Sequence, residues 1–198
     1  MKSTRVISRA VRLFSTLIAP ALFCMQFRSY GIPVAAAVLL HEGGHLLVLW
    51  LVGGRVRRFL PSPFGLCITL DENTLSLASE AAVAAAGSAV NLLSALAVFL
   101  FVHPADGAWF GFFTVSLFLA AVNLLPLHPL DGGRLFELLL AACTDPLTAA
   151  RGVRRIGLLF SYLLFLFSSY LLAVGEGGMY LLLLSLFFLA KNGEFERI

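Results

Sequence analysis

Six apolar runs, at about 13–27, 32–52, 78–102, 109–127, 156–175 and 177–190, are divided by polar or Gly/Pro-rich breaks and take up most of the chain. An α-helix needs about 20 apolar residues to cross a hydrocarbon core about 30 Å thick. Runs of this length and number predict an all-α membrane protein of about six transmembrane helices, with no room beside them for a sizeable soluble domain. The first and last runs are short for a full crossing and are expected to lean on their flanking residues. Composition points the same way, with 60% hydrophobic and 13% charged residues and a mean hydropathy of +0.93. An ordinary soluble domain carries about 25% charged residues, so a water-soluble globule is excluded. Disorder is excluded too, because it requires low hydrophobicity and high net charge, and the net charge here is +3.

Cation placement says more than net charge. With the basic amino terminus in the cytoplasm and the runs alternating sides, thirteen of the fourteen Lys and Arg residues fall inside and only Arg28 outside. That obeys the positive-inside rule and predicts a multi-pass protein with both termini cytoplasmic. The basic inner segments also suit anionic lipid of the bilayer. No basic stripe with interleaved aromatics suggests a nucleic-acid partner. Cys24, Cys67 and Cys143 show no metal-knuckle or disulfide spacing and read as reduced structural residues. Lys2, Arg5, Arg9 and Arg12 ahead of an apolar run resemble a signal peptide, but a retained first helix is the preferred expectation.

The longest non-helical stretch, 53–77, holds two β-rich segments around a Pro/Gly turn and predicts a short cytoplasmic-side β-hairpin after the second helix. It is either a structural loop or an edge onto which an extended peptide adds as a strand.

Ionisable residues inside a span cost about 2.5–3.5 kcal/mol each at a helix centre, so those present need a partner or a task. His41, Glu42 and His45 lie in the second run as His41-Glu42-Gly43-Gly44-His45. Positions i and i+4 share a helix face, so both imidazoles can reach one metal ion, and Glu42 can take a proton from a water beside it. The bland alternative is a polar cluster satisfied by neighbouring helices.

A catalytic zinc usually takes three protein ligands and keeps one position open, so two histidines call for a third donor. Asp131 is the candidate, in Asn123-Leu-Leu-Pro126-Leu-His-Pro129-Leu-Asp131-Gly-Gly133, where two prolines and two glycines are expected to break the helix. Unwound backbone at membrane depth is tolerated where it lines a cavity or is buried in protein. His128 is a rival third ligand, and His103 is expected to be solvated. Gly43 and Gly44, costly inside a helix, imply either close helix packing or a substrate backbone passing near the metal.

HEGGH in an early run with NLLPLHPLDGG in a later one resembles the site-2 proteases, zinc metalloproteases that cut transmembrane segments of other proteins. The resemblance extends to the sporulation branch that processes a membrane-associated pro-sigma factor, through six spans and Leu60-Pro-Ser-Pro-Phe-Gly65, which is similar to that branch's hairpin. Gly87-Ser-Ala-Val-Asn91 is similar to the family's Gly-Pro-x-x-Asn, with Ser88 in place of proline. The resemblance spans roughly 30–140 and implies a single membrane metalloprotease domain over 1–198. It implies one zinc held by His41, His45 and Asp131, with Glu42 as general base. It further implies that Asn123, Pro126 and Pro129 shape the substrate site, and strand addition to the hairpin would add substrate contacts at Phe64 and Gly65. The implied partners are a transmembrane protein substrate and the lipid bilayer. No PDZ or nucleotide-binding regulatory domain is recognised, which leaves regulation to a membrane protein partner or to substrate pre-cleavage. The competing expectations are a non-catalytic helix-binding pseudoprotease and a zinc carrier. The first should have lost Glu42 or a ligand, and the second should show repeated halves with broken helices.

Overall fold

The structure, a computed structural model, describes residues 31–54, 75–103, 105, 107–175 and 178–193, and the backbone of 56–62 and 65–70. The apolar run at 13–27, Cys24 and Phe64 lie outside the described residues. The chain divides after Asn123 into two compact units.

In the first unit, α1 (Gly31–Leu51) leads into strands β1 (Val56–Ser62) and β2 (Gly65–Leu70), followed by α2 (Leu77–Phe101) and α3 (Gly107–Asn123). The strands pair antiparallel from Val56 opposite Leu70 to Ser62 opposite Gly65, with an irregularity between Val56 and Arg58. Pro61 has no N–H to give the ladder and is tolerated because both strands of a hairpin are edge strands. Ser76 starts α2 by accepting a hydrogen bond from the Ser79 N–H at 3.1 Å. Helix α1 packs on α2 and α3, and those two pack on each other. Ala37, Val98 and Phe112 meet at one centre of this contact.

Packing in this unit has the polarity of a membrane protein. The buried positions of α2 are Ala84, Ala86, Gly87, Ser88, Asn91, Ala95 and Val98, mostly small residues that let helix axes approach. The large apolar side chains point outward: Leu39, Trp50, Phe101 and Phe118 are all more than 60% exposed. A soluble helix bundle has the opposite arrangement. Helices α1, α2 and α5 (Pro146–Val174) are long and apolar enough to cross a membrane, and α3 and the last helix are apolar but shorter. The chain is an integral membrane protein.

The second unit starts with a tight turn over 124–130 and continues with α4 (Asp131–Ala141), α5 and α6 (Met179–Gly193). Leu127 N–H donates to Leu125 O at 2.7 Å and Leu130 N–H to Leu127 O at 2.8 Å, so the turn is closed by its own backbone. Leu127 and Leu130, 0% and 2% exposed, anchor it. Two features depart from the sequence expectation. Gly132 and Gly133 do not break the helix; they form its first turn. A Cβ on Gly132 would run into the backbone of Leu124 and Leu125, and one on Gly133 would lie 2.6 Å from Leu127 C, so both glycines serve close approach. The stretch after Asp131, where no helix is predicted, forms amphipathic α4, which packs on α5.

Helix α5 begins ten residues before its apolar run at 156–175, capped by Asp145, which accepts from the Thr148 N–H at 2.9 Å, with Pro146 next. At 29 residues it is about 43 Å long, so its first turns, with Arg151, Arg154 and Arg155, reach past a hydrocarbon core of about 30 Å. Gly175 ends it in the left-handed region at φ 82°.

Outside the apolar runs, Glu137 of α4 pairs with Nε2 of His128 at 3.0 Å and Nη1 of Arg134 at 2.9 Å. The hydrogen bond to His128 is the main reason its carboxyl sits below the ordinary value of 4.5; burial opposes this and Arg134 assists. A carboxyl lowered on folding contributes stability that is complete above the unfolded value and is lost as pH falls through the folded one. Glu137→Gln should therefore melt lower than the parent at neutral pH, and thermal melts in detergent should show the gap closing as pH drops below about 4.5.

Candidate metal centre

His41 and His45 lie one turn apart on α1 and face α2, 3% and 8% exposed. Nδ1 of His45 donates to the Val83 carbonyl at 2.7 Å. A carbonyl only accepts, so this contact puts the ring proton on Nδ1 and the lone pair on Nε2. Nδ1 of His41 lies 3.3 Å from the amide nitrogen of Asn91, which is fully buried and whose Oδ1 has no hydrogen-bond partner. The two ends of an amide have nearly the same shape and are assigned from their partners. Turned over, Asn91 accepts the Nδ1 proton of His41 through the oxygen that is otherwise orphaned. Both rings then present Nε2 lone pairs to one point.

Those two Nε2 atoms are 3.2 Å apart, with the rings edge to face at 80°. Two lone pairs at this separation repel unless a proton or a cation sits between them. Two Zn–N bonds of about 2.0–2.1 Å at a tetrahedral angle span about 3.3 Å, so the donor set and its spacing fit a zinc ion. Glu42, next round the helix, is half-buried.

Glycine makes the arrangement possible. A Cβ at Gly87 would collide with Nε2 of His45 and lie 2.7 Å from Nε2 of His41. The two glycines inside the motif differ in role. A Cβ on Gly44 would come within 2.9 Å of Ala86 O and of the Val90 side chain, so Gly44 serves helix packing. One on Gly43 meets nothing within 4 Å, so Gly43 leaves space.

Among the other sequence candidates, Asn123 ends α3, 6% exposed, and its Nδ2 donates to Leu119 O at 3.0 Å. Pro126 and Pro129 lie in the turn that begins the second unit, and half-buried Asp131 is the first residue of α4. A carboxylate at a helix N-terminus is favoured by the helix dipole. His128 is engaged by Glu137, and His103 is exposed at the end of α2. Gly65 opens β2 opposite Ser62. Gly87 and Asn91 belong to a sequence motif that by itself assigns them no task. Their signal was a polar residue one turn after a glycine in an apolar run. The Val83 carbonyl has no side-chain signal at all.

Gly87→Ala should weaken zinc retention by at least about tenfold while helix content by circular dichroism stays unchanged, as measured by zinc per chain after dialysis.

Residues 103–167 match the model of peptidase family M50, a stretch that contains Asn123 and Asp131 and stops short of the HEGGH motif. Stage IV sporulation protein FB of Bacillus subtilis (strain 168) is 33% identical over 108 residues, 52% of this chain and 37% of that protein. The chain thus spans little more than a third of that relative's length. The site-2 protease from Methanocaldococcus jannaschii shares the fold, with a TM-score of 0.68 at 22% identity over 96% of this chain and 89% of that one. The chain is thus similar to peptidase family M50 over 103–167 and to Stage IV sporulation protein FB over 108 residues, and it has the fold of a solved site-2 protease.

Proposed function

We propose that this chain is an intramembrane zinc metalloendopeptidase, which hydrolyses peptide bonds in or near the transmembrane segment of membrane-protein substrates. The observation that carries the reading is the pair of Nε2 atoms 3.2 Å apart, with Val83 O and Asn91 at the opposite ring nitrogens. His41 and His45 would hold zinc, and Asp131, heading α4 after the NLLPLHPL turn, would be the third ligand. Residues 1–198 would act as one multi-pass domain with cytoplasmic termini, in line with the cation asymmetry.

When bound, zinc supplies Lewis acidity, which lowers the pKa of a water and polarises a scissile carbonyl. Glu42 then takes the water's proton and passes it to the leaving amine, so one carboxylate serves as base and acid. Val83 O and the Asn91 amide keep both imidazoles in one tautomer throughout, so neither ring has to reorganise. Gly43 leaves room for an extended backbone beside Glu42 and His41.

A helical substrate hides its carbonyls in hydrogen bonds and has to unwind before attack. Among the described residues β1 and β2 form a two-stranded sheet, so each keeps one edge without a strand partner. Strand addition there, around Phe64 and Gly65, would hold the peptide open, and Asn123, Pro126 and Pro129 would shape the path to the metal. A partner membrane protein or prior cleavage of the substrate would control access.

Purified protein should contain about one zinc per chain in the parent and in Glu42→Gln, and far less in Asp131→Ala. Cleavage of a synthetic transmembrane peptide with helix-breaking residues at mid-span should fall by about 10²–10⁴ in Glu42→Gln. Zinc without cleavage in the parent, across a panel of such peptides, would favour the pseudoprotease reading. Proline scanned across 66–70 should lower cleavage and leave zinc content alone; unchanged cleavage would remove the hairpin from the mechanism.

A further inference from the structure

Asn192 lies near the end of α6, 2% exposed, and its side chain makes two hydrogen bonds. Its Nδ2 donates to the His128 carbonyl at 3.0 Å, 64 residues away, and to Phe188 O at 2.9 Å. Its own backbone carbonyl accepts from Nε of Arg154 on α5 at 2.7 Å. Its Oδ1 is buried without a partner and presses on Gly157, where a Cβ would lie 2.7 Å from it. A buried amide that leaves its oxygen orphaned loses free energy unless its donor does something an apolar side chain cannot. Here the donor reaches the one connection that precedes Asp131.

The 124–130 turn is closed by its own backbone and held by Leu127 and Leu130, and His128 is tied from its side chain to Glu137. The bond from Asn192 ties the His128 backbone to a different helix, and Arg154 fixes the end of that helix in turn. We infer that Asn192 is a positioning residue: through the His128 carbonyl it sets the 128–131 backbone, and so the Asp131 carboxylate, with Arg154 and Gly157 holding Asn192 in place. The inference rests on Asp131 as the third zinc ligand. Partners that orient a ligand typically govern metal affinity by 10–100-fold.

Two variants test it from opposite sides in the full-length protein in detergent. Asn192→Leu keeps the branched shape in a larger side chain, removes the donor and removes the orphaned oxygen. Gly157→Ala leaves Asn192 intact but displaces its side chain. Each is compared with the parent and with Asp131→Ala for helix content, melting temperature, amide hydrogen exchange over 125–133, and zinc retention against a competing chelator. A purely structural Asn192 would lower the melting temperature and leave zinc retention at the parental level. A positioning Asn192 gives unchanged helix content, faster exchange at Leu127 and Leu130, and about tenfold weaker zinc retention in both variants. Exchange at parental rates in both overturns the inference whatever zinc does. Faster exchange with parental zinc retention, where Asp131→Ala has lost its zinc, overturns the link to the carboxylate. Zinc retained by Asp131→Ala removes the third-ligand reading itself, and the inference with it.

Discussion

A polar group inside an apolar slab has no water to fall back on, and the rest of the first unit is arranged around that constraint at His41 and His45. Two imidazoles in a membrane helix are tolerable only if each ring nitrogen has a defined partner. The partners come from α2: a backbone carbonyl at Val83 and a buried amide at Asn91. To deliver them, α2 must approach α1 closely, which requires Gly44 on one helix and Gly87 on the other. The small buried residues of α2 are thus the condition for a second shell built of backbone and amide, the kind of support that fixes the tautomer of a ligating histidine.

The second unit meets the same constraint by another route. An unwound stretch between apolar segments exposes backbone N–H and C=O groups, and each must be satisfied inside the protein. The turn bonds Leu127 and Leu130 to itself, and the His128 carbonyl is taken by Asn192. The glycines after Asp131 let the first turn of α4 fold back against this backbone, so a helix can start where a break was expected.

Much of this was legible in the sequence because membrane insertion simplifies the code. Apolar runs mark the long helices, and an HExxH motif inside one of them is too costly to be incidental. The 3.6-residue period placed both histidines on one face, and the structure puts their nitrogens together. Less legible were boundaries set by something other than hydropathy. Helix α5 starts ten residues before its apolar run because Asp145 and Pro146 cap it in water, and α4 was missed because an 11-residue amphipathic helix resembles a polar connection. Cys143, read as structural, is exposed at the α4–α5 connection. The Val83 carbonyl and the Asn192–His128 bond were beyond reach, the first because it belongs to the backbone and the second because it joins residues 64 apart.

The serines carry a consequence for anything that meets this protein sideways. Ser94, Ser161, Ser168, Ser169 and Ser185 all turn their hydroxyls back onto carbonyls of their own helices, at 2.6 to 3.0 Å. Among the described residues the exposed faces carry mostly Leu and Phe, which resemble the acyl chains around them, with Trp50, Trp109, Tyr162 and Tyr170 interspersed. A foreign helix drifting in the bilayer therefore gains little from the Leu and Phe of these faces that lipid does not already offer it. Discrimination between passers-by has to be made on shape, or deferred to the moment when one of them begins to uncoil.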